Sequence, residues 1–180
     1  MEPYPRATRW QSGTFTEFFE AASPYLVRLG YLLLGDRAVA EDVAQDVLEE
    51  IYKRWQGLRE ESMLGYAHTA VVNRARSVGR RRAVASKFAT LLATPEAVPD
   101  SDLNDPWLWL RVQALPRRQR EIIVLRYWCD LTEGEIAKVL GISAGTVKSG
   151  AHRALSQLER VVRGAAFPIE ADSAANREDV

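Results

Sequence analysis

The stretch from Thr132 to Leu158, TEGEIAKVLGISAGTVKSGAHRALSQL, predicts two short helices joined by a tight turn. Thr132 is a candidate N-cap, and Glu135 completes the capping-box pattern. Gly141 is expected to end the first helix, because only glycine enters a left-handed turn without steric cost. Ser143 is placed to cap the second helix. The stretch therefore predicts a helix-turn-helix.

The second of these helices has two different faces. Residues at spacings of three and four predict its buried face: Val147, Ala151, Ala154, Leu155 and Leu158. The opposite face carries hydrogen-bond donors: Thr146, Lys148, Ser149, His152 and Arg153. A purely structural helical hairpin would not need such a donor-rich face, so the pattern favours DNA binding over that alternative.

Composition limits the classes of protein that fit. The 180 residues allow one medium domain or two small ones. No apolar run is long enough to span a bilayer, and the first residues lack the apolar core of a signal peptide, so we expect a cytoplasmic protein. Cys129 is the one cysteine, which excludes an intrachain disulfide and a cysteine-rich metal site.

Charge is balanced overall, with 24 basic and 24 acidic residues, but it is sorted along the chain. The segment from Asn73 to Arg82, NRARSVGRRR, has five arginines and no acid. The segment from Glu96 to Asp105 has acids and no base, and the charged residues after Gly164 are mainly acidic. Such sorting indicates basic surfaces that bind a polyanion.

Apolar spacing predicts three helices in the N-terminal half. The first covers Phe15 to Leu34, and Pro24 is expected to kink or break it. The second runs from about Val39 to Trp55, and the third begins near Ser62. The second helix carries an outer polar stripe, which would be either a solvated surface or a partner-binding face: Asp42, Gln45, Asp46, Glu49 and Lys53.

The third predicted helix brings Tyr66 and His68 close to the arginine cluster. Aromatic rings beside a cationic track are typical of proteins that bind single-stranded nucleic acid, because bases stack on the rings while phosphates follow the arginines. The alternative is that Tyr66 is a core residue and the arginines are simply favoured at a helix C-terminus.

The segment from Arg82 to Pro106 predicts a linker with a short helix from Ala83 to Leu92. A second domain is expected from Trp107, and the residues after Arg163 are expected to be disordered. Three arginines stand at the start of a predicted helix: Arg117, Arg118 and Arg120. The helix dipole disfavours cations there, so contact with phosphate is the simplest explanation of their position. Four residues are expected to pack under the helix-turn-helix: Ile122, Ile123, Leu125 and Tyr127.

These motifs, taken together, resemble the extracytoplasmic-function (ECF, group four) bacterial RNA polymerase sigma factors, SigE-like subgroup. The resemblance rests on EDVAQDVLEEIYKRW, GYAHTAVVNRARS and ALPRRQREIIVLRYWCDLTEGEIAKVLGISAGTVKSGAHRAL, in that order, and covers about Phe15 to Arg160. It implies an all-α fold of two small helical domains joined by a flexible linker. Residues 14–82 would be sigma region 2, 83–106 the linker, 107–163 the region 4 helix-turn-helix, and 164–180 a disordered acidic tail.

The resemblance also implies a role for each segment. The outer stripe of the second helix would bind the β′ coiled coil of core RNA polymerase: Asp42, Gln45, Asp46, Glu49 and Lys53. The third helix would melt promoter DNA and hold the minus-ten element: Tyr66, His68, Thr69, Asn73, Arg74, Arg76, Arg80, Arg81 and Arg82. The helix-turn-helix domain would bind the minus-thirty-five element: Arg117, Arg118, Ser143, Thr146, Lys148, Ser149, His152 and Arg153.

Further implied contacts concern the C-terminal half. Apolar residues between Leu115 and Trp128 match the face that meets the β flap. The chain departs from the pattern at Gly150 and Ala151, where an arginine and a larger apolar residue are common. Gly150 is therefore expected to cost helix stability and to remove a phosphate or base contact.

The sequence shows no catalytic constellation, so we expect a non-enzymatic protein without metal, cofactor or small-molecule substrate. Its expected partners are core RNA polymerase, promoter DNA and an anti-sigma factor that would cover the free chain, with no membrane. One alternative is a stand-alone helix-turn-helix transcriptional regulator. Another is an interaction protein that holds polymerase without directing initiation.

Overall fold

A computed structural model of the chain describes residues 14–55, 60–88 and 106–164. Over these ranges the fold is all-α and contains no strand. The helices are α1 (Phe15–Leu34), α2 (Arg37–Lys53), α3 (Glu60–Phe88), α4 (Pro106–Ala114), α5 (Arg117–Ile123), α6 (Glu133–Leu140) and α7 (Ala144–Gly164). A π-helical turn, Val124–Trp128, continues α5. None of the described helices is both long and apolar enough to cross a bilayer.

The N-terminal module consists of α1, α2 and α3, which pack against one another. Leu26, Val47, Ile51 and Val71 are fully buried at its centre, as the apolar spacing predicts. Helix α1 continues through Pro24 without a break. Pro24 is exposed, so water can bond the carbonyl group that its ring leaves without a partner, and the predicted break does not occur.

The C-terminal module consists of α4 to α7, with α5 and α6 packed on α7. Thr132 and Glu135 form the predicted capping box at the start of α6. Gly141 ends α6 in the left-handed conformation, at φ 65°. The Ser143 hydroxyl then accepts a hydrogen bond of 3.1 Å from the Thr146 amide at the start of α7. The predicted helix-turn-helix is therefore present.

Three sequence expectations about this module are wrong. Leu155 is 42% exposed and Tyr127 is 60% exposed, so neither side chain belongs to the core beneath the helix-turn-helix. Gly150 is buried and faces α5, where a Cβ atom would lie 2.5 Å from Ile122 Cδ1. A side chain at position 150 would thus enter the core, and its absence removes no DNA contact.

The two modules pack together through α1 and α3. The Tyr31 ring stacks on Trp109, with centroids 5.4 Å apart. The Gln113 side chain donates to the Leu32 carbonyl group at 2.8 Å, and α3 contacts α6. Most of the buried apolar side chains form one cluster that includes residues of both modules, while Leu115, Ile123 and Ala154 form a second, small cluster within the C-terminal module.

Helix α3 is longer than the sequence predicts. It runs without interruption to Phe88, so residues 83–88 of the predicted linker continue the helix rather than starting a separate one. The rest of the predicted linker, through residue 105, and the predicted acidic tail, residues 165–180, lie outside the described residues.

Candidate nucleic-acid and polymerase interface

The outer face of α7 is a continuous surface of hydrogen-bond donors. All five donors that the sequence assigns to it are exposed: Thr146, Lys148, Ser149, His152 and Arg153. The opposite face packs into the module through Val147, Ala151 and Ala154, which fixes the direction of the donors. Between Ala144 and Leu158 the helix carries no acid, so this face is cationic.

Local hydrogen bonds shape this face. The Ser143 and Thr146 hydroxyl oxygens lie 2.8 Å apart at the start of the helix. Ser149 donates to the Thr146 carbonyl oxygen at 3.2 Å, and Arg153 Nε donates to the Ser149 carbonyl oxygen at 3.3 Å. This bond uses only the Nε donor of the exposed Arg153 guanidinium, which leaves its Nη1 and Nη2 groups for a ligand.

The arginines at the start of α5 are held by the protein itself. Arg117 Nε and Arg118 Nη1 each lie 3.4 Å from the Glu121 carboxylate. Arg120 Nη1 donates to the Leu33 carbonyl oxygen at 2.9 Å and to Gln113 Oε1 at 2.8 Å. Burial lowers the pKa of Arg120. The position of Arg120 therefore needs no phosphate, whereas Arg117 and Arg118 remain about half exposed.

The residues predicted to bind the minus-ten element fall into an exposed group and a paired group. Asn73, Arg80 and Arg81 are exposed on α3. Thr69 is half-buried and donates to the Gly65 carbonyl oxygen at 2.9 Å. The Tyr66 ring is also half-buried, with the Arg54 guanidinium carbon 5.4 Å from its centroid. Tyr66 thus keeps part of one ring face near solvent.

Acidic partners occupy three of the α3 arginines. Arg74 Nη2 donates to Glu50 at 3.0 Å, and its Nε lies 3.4 Å from Asp46. Arg82 pairs with Asp36. The third pair joins Arg76 to Glu121 of α5 by two hydrogen bonds, of 3.0 and 2.8 Å. Both of its partners are largely buried.

Tyr66 and Glu50 also influence each other. Burial, followed by a hydrogen bond to Glu50, raises the pKa of Tyr66. The same hydrogen bond, with that from Arg74, lowers the pKa of Glu50. Glu50 therefore fixes two side chains of the predicted minus-ten set, although the sequence did not single it out.

His68 does not face solvent. It is 1% exposed, and its Nε2 atom lies 2.7 Å from the Tyr25 hydroxyl oxygen. Burial lowers the pKa of His68 to about 4. The resemblance assigned His68 to the minus-ten element, but in this arrangement of the helices its ring cannot contact DNA. Its spacing on α3 matches the buried residues Ala67, Val71 and Val72 rather than the exposed ones.

The stripe on α2 predicted to bind polymerase lies on the surface. Each of its five side chains is exposed: Asp42, Gln45, Asp46, Glu49 and Lys53. Lys53 Nζ lies 3.9 Å from Glu49, and Asp46 pairs with Arg74 of α3. The stripe is therefore mainly acidic and borders the predicted minus-ten surface.

The apolar residues matched to the β flap are mostly enclosed. Leu115, Ile122, Ile123, Val124 and Leu125 are buried within the protein. They are core residues in this arrangement, because α5 packs on α7. Tyr127 is the large apolar side chain of this segment that reaches solvent.

Glu121 is a central residue that sequence reasoning missed. Its carboxylate meets Arg76, Arg117 and Arg118. The motif RRQRE does hold a signal, since Glu121 stands three and four residues after two arginines, where helical ion pairs form. Within the described residues no cluster of three or more histidine, cysteine, aspartate or glutamate side chains could hold a metal ion.

Comparison with known proteins identifies both modules. The family model for Sigma-70 region 2 matches residues 18–84, and that for Sigma-70, region 4 matches residues 107–158. The RNA polymerase sigma-E factor of Streptomyces avermitilis is 30% identical over 153 residues, which cover 80% of this chain and 82% of that protein. The ECF RNA polymerase sigma factor SigE of Mycolicibacterium smegmatis is 31% identical over 144 residues, covering 73% of this chain and 54% of that protein.

Solved structures agree on the fold. The sigma factor RpoE of Bartonella quintana, determined in complex with the anti-sigma factor NepR, superposes with a TM-score of 0.67 at 22% identity and covers 83% of this chain and 96% of its own. CnrH, determined with the cytosolic domain of CnrY, gives a TM-score of 0.63 at 19% identity over 89% and 96% of the two chains. With both sigma regions present in order, and a sigma-E factor matched over four fifths of its length, the chain belongs to the ECF family of RNA polymerase sigma factors.

Proposed function

We propose that this sigma factor directs promoter recognition with separate surfaces on its two modules. The outer face of α7 would enter the major groove of the minus-thirty-five element, while α3 from Tyr66 to Arg82 would hold the opened minus-ten element. The α2 stripe would bind core RNA polymerase. One observation carries this proposal: the five donors assigned to α7 are all exposed on a face that bears no acid.

At the minus-thirty-five element the donors of α7 would make different kinds of contact. Lys148 and Arg153 can bond phosphates or the acceptor edge of guanine, while Thr146 and Ser149 can bond either kind of base edge. Phosphate contacts supply affinity that falls as salt rises, whereas base contacts supply sequence choice. Ser143 would act mainly through the helix cap that orients the N-terminal turn of α7.

At the minus-ten element the exposed groups of α3 would act first. The Tyr66 ring offers a stacking surface for an unpaired base, and the exposed Asn73 amide offers both donors and an acceptor. Arg80 and Arg81 can follow the strand phosphates. Thr69, Arg74 and Arg82 lie along the same segment, although Arg74 and Arg82 must exchange acidic partners for phosphates.

The α2 stripe suits a partner of opposite charge. Asp42, Asp46 and Glu49 form an exposed acidic row that Lys53 only partly balances. Complementary charge speeds encounter and fixes orientation. We assign this row to the β′ coiled coil of core polymerase.

The remaining proposals concern the setting of the protein. It would act in the cytoplasm, where transcription takes place, and would have no enzymatic activity of its own. An anti-sigma factor is a proposed further partner, supported by the complex in which the Bartonella quintana relative was solved. The domain roles proposed are region 2 for residues 14–82, linker for 83–106 and region 4 for 107–163.

The decisive experiment is reconstitution with core RNA polymerase. The purified chain is added to core enzyme and a library of randomised promoter sequences, each marked by a barcode in its transcribed region, and the transcript barcodes are sequenced. We expect the promoters that yield transcripts to share two sequence elements, and we expect these transcripts to depend on the chain. A chain that binds duplex sites tightly alone but yields no transcripts with core enzyme would instead be a stand-alone regulator.

A matched pair of variants tests the α7 surface. Arg153 and Arg160 are both exposed, and each donates from Nε to the carbonyl oxygen four residues earlier at 3.3 Å. Only Arg153 lies among the assigned donors. We expect Arg153→Ala to reduce transcription from the selected promoters about tenfold or more, the effect of losing one good base or phosphate contact, while Arg160→Ala stays within about twofold. Equal effects of the two variants would contradict the assignment.

A further inference from the structure

One carboxylate joins the two modules at the surfaces assigned to DNA. Glu121 of α5 accepts from Arg76 Nε at 3.0 Å and from Arg76 Nη2 at 2.8 Å. This is the fork-to-fork geometry that arginine also uses with phosphate. The same carboxylate lies 3.4 Å from Arg117 and from Arg118. Arginines assigned to both promoter elements therefore converge on one acid.

The pair between Arg76 and Glu121 is shielded from water. The Arg76 side chain is 14% exposed and the Glu121 side chain is 4% exposed. Because a charge left alone at such a site is costly, neither partner can leave easily unless the other is solvated or paired anew. The contact is thus much firmer than the exposed ion pairs elsewhere on the described surface.

The junction between the modules carries a net positive charge. A small cavity between the modules is lined by Leu33, Ala75, Arg76, Arg117, Arg120 and Glu121, which bring three guanidinium groups and one carboxylate together. Removing the negative charge of Glu121 leaves the arginines of the two modules facing one another. Like charges at short distance repel, so the loss of Glu121 should drive the modules apart.

Closure also hides DNA-binding groups. While Arg76 holds both oxygens of Glu121, it cannot reach a phosphate. The packed modules therefore withhold Arg76 from the minus-ten element.

We infer that Glu121 is an internal competitor of promoter phosphates, which keeps the free chain closed and its DNA affinity low until the modules are separated on core polymerase. The inference rests on the proposed function, and it takes Arg76, Arg117 and Arg118 as the DNA-binding residues that the family resemblance implies. Glu121 itself touches no DNA in this scheme, and it acts by positioning the arginines.

Glu121→Gln tests the inference, because the amide keeps the shape of the side chain and removes its charge. The full-length variant is compared with the unaltered chain by small-angle scattering, by hydrogen exchange in α3, and by binding to a promoter duplex with an open bubble, all without polymerase. We expect a larger radius of gyration, faster exchange around Ala75, and DNA binding about tenfold tighter, within the usual range of coupling between sites.

Glu133→Gln is the matched control. Glu133 also pairs with an arginine, Arg126, at 2.9 Å, but both residues belong to the C-terminal module and both are about a third exposed. This variant removes the same single charge without touching the junction. We expect its radius of gyration to be unchanged and its DNA affinity to rise less than twofold.

Two results would overturn the inference. One is a folded Glu121→Gln chain whose DNA affinity matches that of Glu133→Gln. The other is tighter DNA binding with no change in scattering or exchange. If Glu121→Gln does not fold, Arg76→Gln is used instead, because it removes the other partner of the pair. This variant is measured by scattering and hydrogen exchange alone. An Arg76→Gln chain that is folded and still closed would also refute the inference. If the unaltered chain does not support transcription, that result counts against the proposed function. The scattering and exchange measurements would still test whether Glu121 keeps the modules closed, because they are made without polymerase.

Discussion

The imidazole of His68 is kept neutral by its surroundings. Its Nε2 atom lies 2.7 Å from the Tyr25 hydroxyl oxygen, and burial lowers its pKa to about 4. Burial likewise raises the pKa of Tyr25. Glu135 acts on the ring through its charge, and the pKa of Glu135 is itself lowered by the hydrogen bonds it accepts from Thr132. The buried hydrogen bond therefore joins two uncharged rings.

This arrangement predicts acid sensitivity of the fold. In the unfolded chain His68 takes up a proton near pH 6.5, but in the folded chain it does so only near pH 4. The unfolded state thus binds more protons between these values, and stability falls as the pH falls from 6.5 to 4. The loss should total about 3 kcal/mol, measured by urea unfolding at several pH values.

Two variants separate His68 from other acid-sensitive groups. His68→Gln keeps a polar partner for Tyr25 and should flatten the pH dependence between 6.5 and 4. His152→Gln, at the exposed histidine of α7, should leave the dependence unchanged. A slope that survives in His68→Gln would show that another group binds the protons.

At the residue scale the sequence predicted exposure on α7 well. The donor positions from Thr146 to Arg153 alternate with buried ones at helical spacing, and local periodicity is enough to separate them. The five arginines of α3 could not be separated in this way. Whether Arg76 or Arg80 faces another helix depends on where α5 packs, which no local pattern records.

Helices α5 and α7 approach closely at Gly150. Position 150 is buried, and a Cβ atom there would lie 2.5 Å from Ile122 Cδ1. Ile122 is fully buried, so its methyl group has no solvent to move into. The lack of a side chain at Gly150 therefore lets the two helices meet.

We expect Gly150→Ala to destabilise the protein by about 1 kcal/mol, because overpacking of about 1–3 kcal/mol exceeds the helix-propensity gain of about 1 kcal/mol. In an Ile122→Val background, which lacks the obstructing methyl group, the same substitution should be neutral or stabilising. A double-mutant cycle by chemical denaturation measures this difference.

Gly65→Ala serves as the control for this cycle. Gly65 lies inside α3, and a Cβ atom there would meet nothing within 4 Å. This substitution should stabilise the chain by about 1 kcal/mol from helix propensity alone. If the changes at positions 150 and 122 prove additive, the close contact is not what requires glycine.

Features at the ends of single helices were predicted correctly, because they depend on interactions between residues that are close in sequence. The capping box at Thr132 and the left-handed glycine at Gly141 appear where the sequence places them, because each depends on a few neighbouring residues. Leu155 was assigned to the core from its spacing, but the packed face of α7 turns away from it. The π-helical turn Val124–Trp128 has no recognisable signal in the sequence.

On the scale of the whole molecule, the two modules share one core. Tyr31 stacks on Trp109, and Gln113 bonds to the Leu32 carbonyl group while receiving a hydrogen bond from Arg120. The apolar cluster includes buried residues of α1, α3, α6 and α7. A structure joined in this way should unfold as a unit.

We expect a single thermal transition whose calorimetric and van't Hoff enthalpies agree. Gln113→Ala should lower the stability of the whole chain by about 1–3 kcal/mol, because it leaves buried partners without their hydrogen bonds. Gln45→Ala, on the exposed face of α2, should have little effect. Two separate transitions in the unaltered chain would contradict a shared core.

The packing of the modules could not be predicted from the sequence. Arg76 and Glu121 are 45 residues apart, and Leu32 and Gln113 are 81 apart. Between the modules lies a segment whose composition predicts a linker of unspecified path. The resemblance supplied two domains in order, but their relative placement depends on side chains that only the folded chain brings together.

The position of Cys129 gives the chain a built-in reporter. Burial raises the pKa of this thiol to about 12, and its hydrogen-bonding partner Tyr25 belongs to the other module. Alkylating reagents attack the thiolate, so the closed protein should consume them very slowly at neutral pH. Each excursion that parts the halves would break the contact of this half-buried side chain with Tyr25 and expose it further. The rate of labelling therefore measures how often the unmodified polypeptide comes open, without any engineered probe.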